Sequence, residues 1–182
     1  MRSCCLVVAF LRGNPASLYD CFIMDGTGGP FVHTELVLRD QAGRCRAYTA
    51  LEGVGGVVPV PPHAYGPEWA LVSVPLAPDM LRRVYAGLLA LLAARIPYNR
   101  ADLWQCCLPF FLPFEADLDC ARGDTWQRGV FCSQLACLVL RRAAREGCLP
   151  ASSAWRARLE AVNSRGCSPN ALFLLLAPIK RS

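Results

Sequence analysis

Hydrophobic and polar positions change their spacing once along this chain, and the change divides it into two halves. Residues 4–11 are an apolar run that predicts a buried strand, and RGNPAS reads as the turn after it. DCFIMDG (20–26) reads as a second strand or an irregular connector ending in a flexible GTGGP. FVHTELVLRD (31–40) and RCRAYTAL (44–51) carry β-branched and apolar residues on either side of QAG, which predicts a hairpin. EGVGGVVPVPPHAYGPE is expected as a Gly- and Pro-rich loop with one short extended piece, and WALVSVPL (69–76) as another strand.

From residue 77 the spacing becomes helical. APDMLRRVYAGLLALLAAR opens with Pro78 and Asp79 and predicts the longest helix. IPYNRADLWQCCLPFFLPF (96–114) predicts a short helix from about Ala101 within packed irregular chain, and EADLDCARGDTWQRG a polar excursion. CSQLACLVLRRAAREG (132–147) predicts a helix closed by Gly147, and SSAWRARLEAVN (152–163) a shorter one. SPNALFLLLAP (168–178) predicts a helix capped by Ser168 with Pro169 in its first turn. Strands followed by helices point to one α+β domain over residues 1–182, an antiparallel sheet packed against helices on one side. Its strand-rich half runs over about 4–76 and its helix-rich half over about 77–178.

Composition supports that division. A chain of 182 residues buries a core without disulfide or metal staples, and 54% hydrophobic with 18% charged residues excludes a long disordered segment. The net charge of +5 is carried almost wholly by arginine, since Lys180 is the only lysine. Arginines spread along the chain, without a basic stripe, argue against a nucleic-acid partner. The 11 cysteines include the adjacent pairs Cys4-Cys5 and Cys106-Cys107 and no C-x-x-C, which fits neither a disulfide framework nor a metal module. Thiols within apolar runs act as small hydrophobes and suggest a reducing, cytoplasmic setting. The apolar run after Arg2 is as short as the shortest signal peptides and reads better as a strand, and the richest apolar window is broken by Arg82, Arg83 and Arg95. A protein without a transmembrane segment is expected. Oligomeric state is not readable from this pattern.

One thiol stands apart. Cys132 opens the helix in GVFCSQLACLVL, where free backbone N–H groups and the helix dipole favour a thiolate and offer donors to an oxyanion. Only two histidines exist to serve as its base. His33 lies on the hairpin strand, and Glu35, two residues on, projects from the same face, where a carboxylate orients the imidazole and favours its charged form. His63 lies in a proline-rich loop without a neighbouring acid in sequence, and reads as structural or surface-lying.

The order of these parts, with the motifs HTELVL, GVFCSQLACLVL and CSPNALFLLL, resembles the circularly permuted papain-like (NlpC-like) cysteine peptidases and amidases, in the branch found in large DNA viruses. The resemblance spans roughly Val7 to Leu176 and implies a viral protein acting in the host cytoplasm. It implies Cys132 as nucleophile and His33 as general base, with no cofactor and no metal. The third role is open between Glu35, the preferred orienting acid, and Thr49 or Glu52. Gln134 is a candidate for substrate contact or for capping the helix, and Tyr98 and Asn99 for packing or substrate contact near the cleft. The implied chemistry is acyl transfer on a peptide, isopeptide or other amide bond. A lipid ester or thioester is the second choice, for which FFLPF (110–114) offers an apolar surface for transient membrane contact. A silent papain-like module that binds a host protein is the third.

Overall fold

The computed structural model describes residues 4–61, 63–108, 129–147 and 154–177. FFLPF and nearly all of the polar stretch after it lie outside the described residues, as do Lys180 and Arg181. The strands are β1 (Cys5–Arg12), β2 (Phe31–Arg39), β3 (Cys45–Leu51), β4 (Gly56–Val60) and β5 (Trp69–Pro75), and they form one five-stranded sheet in the order β4-β3-β2-β1-β5. Every neighbouring pair is antiparallel. The helices are α1 (Leu18–Thr27), α2 (Pro78–Ala93), α3 (Arg100–Cys107), α4 (Cys132–Arg145), α5 (Ala154–Ala161) and α6 (Pro169–Leu176), with a 3-10 turn over Ser164–Gly166. The α+β class and the antiparallel sheet expected from the sequence are both present.

Alternation along the strands separates two faces. Leu6, Val8 and Phe10 of β1, with Leu36 and Leu38 of β2, enter the main core beside Leu135, Leu140 and Leu172 of the helices. Cys5, Val7, Ala9 and Val37 point the other way and are covered by Tyr65 and Trp69. Helix α4 is central, buried at every position from Cys132 to Arg141, which is why its sequence is short of charge until Arg141.

One expectation is corrected. Residues 20–26 form neither a strand nor a connector but most of helix α1. Ser17 caps it by accepting from the Asp20 amide, and Gly28 ends it in the left-handed region at φ 68°, two local signals that outweigh the strand-like run Cys21-Phe22-Ile23. Gly26 sets the approach of this helix to α3, since a Cβ there would stand 2.4 Å from the Cys107 carbonyl oxygen. Asn170 of α6 pins the start of β2: its amide oxygen accepts from Phe31 N at 2.9 Å and its nitrogen donates to Phe31 O at 3.0 Å. Every described cysteine is a free thiol, and among the described residues no helix is long and apolar enough to cross a membrane and no group of ligating side chains could hold a metal ion.

Candidate active site

The pairing of β2 with both neighbours breaks down next to His33. Its register against β1 shifts between Leu11 and Arg12, so Val32 has no partner there and forms a bulge directly before the histidine. A bulge bends the strand and re-aims the adjoining side chain. On the other edge, β2 and β3 pair from Arg39 to Leu36 and then part. The Thr34 N–H and C=O, which point to one side of a strand, therefore need partners other than β3 backbone. Thr49 Oγ1 donates to Thr34 O at 2.7 Å. The Thr34 amide faces the sulfur of Cys132 and eases its ionisation.

Cys132 reaches that notch as the first residue of α4. Gly129, at φ 88°, lets the chain pass so close to Pro97 that a Cβ would lie 2.6 Å from the Pro97 carbonyl oxygen. Val130 then pairs with Tyr98 in an isolated parallel bridge, which seats the head of α4 beside the sheet. The backbone N–H groups of Cys132 and Ser133 lie in the free-donor turn of the helix and favour the charged form of the sulfur.

His33 and Cys132 line the same cleft, a cavity of about 390 Å³ with Tyr19, Ile23, Leu51 and Tyr98 among its walls. The bonds of His33 fix its tautomer. Because the Thr49 hydroxyl gives its proton to Thr34 O, it can only accept from the ring, and it stands 3.3 Å from Nε2. The ring proton then sits on Nε2, and Nδ1 keeps the lone pair that a base needs. Glu35 stands behind it, with Oε1 3.9 Å from the same Nε2.

Both titrating groups are neutral at rest. Burial pushes the Cys132 thiol up to about 11, and the amides of Thr34, Ser133 and Cys132 pull it only part of the way back. Burial pushes His33 down to about 4. The helix start therefore does not yield a resting thiolate, contrary to the expectation from position, because removing water outweighs the donors. Burial also raises Glu35, opposed by the hydrogen bond from Tyr65 and the charge of His63.

The remaining candidates fall into separate places. Glu52 lines the cleft but is ion-paired with Arg100. Tyr98 is in the cleft wall, its phenol raised by burial first and by the Cys132 charge second. Asn99 is turned away to cap α3, accepting from Asp102 N at 3.0 Å. Gln134 is buried, where a solvent-facing residue is the commoner case for a helical Gln; its oxygen accepts from Phe131 N at 3.3 Å and its nitrogen donates to Asp102 at 3.4 Å. Asp102 in turn takes a bidentate pair from Arg165 at 2.8 and 3.1 Å, tying α3, α4 and the 3-10 turn together beneath the thiol. The Asp102 knot was not singled out from sequence; the only local sign of it is the cap Asn99-x-x-Asp102.

His63 differs most from its sequence reading. It is not without an acid: its Nε2 lies 3.6 Å from Oε2 of Glu35. Tyr65 donates to the same oxygen at 2.7 Å. Against known proteins, the chain matches no family description, no characterised sequence and no solved structure.

Proposed function

We propose that this protein is a thiol hydrolase or acyltransferase of circularly permuted papain-like architecture, acting on an amide, peptide or isopeptide bond through an acyl-enzyme. The observation that carries the reading is the notch between β2 and β3, where the thiol of Cys132 meets the amide of Thr34 beside a histidine whose tautomer is set by Thr49. As the sulfur attacks the carbonyl carbon, its proton passes to Nδ1 of His33 and the carbonyl electron pair moves onto oxygen, toward the amides at the head of α4. The imidazolium so formed faces Glu35, whose negative charge favours it. Collapse expels the amine, which takes the proton from His33, and water or a second acceptor releases the acyl group by the same route reversed.

The mouth of the cleft favours a second reading, a lipid ester or thioester as acyl donor. Val54, 63% exposed, and Tyr19, 49% exposed, line the cavity, and Leu18 beside Tyr19 is 90% exposed. Exposed apolar side chains gathered at one opening suit an apolar acyl group or membrane contact. One experiment tests the site for either substrate: an acyl-type thiol probe is offered to the folded protein at neutral pH, and labelled peptides are located by mass spectrometry. Wild type labels at Cys132, while Cys132→Ala and His33→Ala do not label there. Labelling at Cys132 that survives His33→Ala at the wild-type rate refutes the base, and a folded wild type that never labels at Cys132 leaves the silent binding module as the better account.

A further inference from the structure

The segment from His63 to Trp69 crosses the face of the sheet opposite the helices. It is tied to β1 by Arg12 N donating to Glu68 O at 2.9 Å. Its rings stack on one another, His63 4.5 Å from Tyr65 and Tyr65 5.0 Å from Trp69 between centroids, and Trp69 reaches His33 at 6.4 Å. Beneath these rings lies Glu35, 5% exposed. One oxygen faces Tyr65 and His63 at 2.7 and 3.6 Å, and the other faces His33 at 3.9 Å. A single buried carboxylate thus bridges both histidines of the chain.

We propose that Tyr65 and His63 are positioning residues for the Cys132–His33 pair, acting through Glu35, and that proton uptake by His63 weakens the site. This rests on the thiol-hydrolase reading above. Tyr65 holds the carboxylate in place and gives it the hydrogen bond that keeps a buried charge tolerable. With His63 neutral, Glu35 is free to favour the imidazolium that His33 becomes as it accepts the thiol proton. With His63 protonated, the carboxylate is drawn into a pair with it, and its help to His33 falls. Of the other groups near this cluster, the Glu68 carboxylate lies against Gly66 of the same segment. Cys45 and Arg46 of β3 line a cavity of about 270 Å³ with His63 and Tyr65, but the Arg46 guanidinium lies over the Tyr85 ring, 4.7 Å from its centroid. β1 offers Ala9 opposite Glu35, and β5 offers the uncharged Trp69 ring, 5.6 Å from His63.

The test is the rate of acyl-probe labelling at Cys132 across pH in wild type, His63→Gln and Tyr65→Phe, with folding checked by circular dichroism. The wild-type rate falls in a step on acidification. In His63→Gln that step is lost, and on its acid side the rate exceeds wild type severalfold. Tyr65→Phe labels about tenfold more slowly at neutral pH, the effect of about one pKa unit on the carboxylate and its partner. Folded variants whose profiles superimpose on wild type, while labelling still depends on Cys132 and His33, overturn the proposal and leave the site reading intact. Loss of dependence on Cys132 and His33 overturns both. Should Tyr65→Phe not fold, the His63→Gln profile decides alone.

Discussion

Replacing Thr49 with valine keeps the shape of the side chain and deletes one hydroxyl. That hydroxyl gives a 2.7 Å hydrogen bond to Thr34 O and accepts from His33 Nε2 at 3.3 Å, and both threonines are buried. Two losses follow. The Thr34 carbonyl, already deprived of β3 by the parting of the strands, is left without its donor, which costs about 1–3 kcal/mol of stability. His33 also loses the acceptor that keeps its proton on Nε2. A neutral hydrogen bond has a net worth of about 0.5–1.5 kcal/mol, which at about 1.4 kcal/mol per decade slows reaction at Cys132 by roughly 2- to 12-fold. Urea unfolding reads the first loss, and acyl-probe labelling of the folded protein reads the second. Thr49→Ser restores the hydroxyl and is expected within about twofold of wild type by the same reasoning. Folded Thr49→Val that labels at the wild-type rate, or Thr49→Ser as slow as Thr49→Val, refutes the account of the tautomer.

Other consequences are equally open to measurement. Burial lowers His33 from 6.5 to about 4 in the folded chain, so the unfolded chain binds the extra proton first as pH falls. The stability tied to this histidine is complete above pH 6.5 and is lost as pH falls through about 4. It amounts to about 3 kcal/mol at 1.36 kcal/mol per pKa unit, and His33→Gln should flatten the acid limb of the urea midpoint plotted against pH; an unchanged slope contradicts the burial argument. Gly129→Ala meets both a φ of 88° and the Pro97 carbonyl oxygen at 2.6 Å. It is expected to cost about 1–3 kcal/mol and to slow labelling of Cys132, and a wild-type melting temperature would show that the approach to α4 is not tight.

The hairpin of β2 and β3 was legible because apolar and β-branched residues surround a turn-forming QAG, and α4 and α6 because their starts carry local signals at Cys132 and Ser168. Helix α1 was misread although Ser17 and Gly28 bracket it, since three consecutive apolar residues have no period to measure. In the site, the shared face of His33 and Glu35 follows from strand geometry and was readable. The bond from Thr49 was not, because it depends on where two strands separate. The acid beside His63 belongs to a strand far from it in sequence, and the burial of Gln134 depends on Asp102 arriving from another helix. Nor does a helix start reveal how much water is excluded around its first residue, which is what decides the state of the Cys132 thiol.

The order of the parts of the candidate site along the chain bears on how the protein comes into being. The five strands of the described residues end by Pro75, and the contacts among Glu35, His33, Thr34 and Thr49 span only that first segment. Synthesis runs from the N-terminus, and early segments fold first where they are able. His33 and the residues around it can therefore take shape on the ribosome while Cys132 is still untranslated, and α4 must then enter a notch that is already waiting.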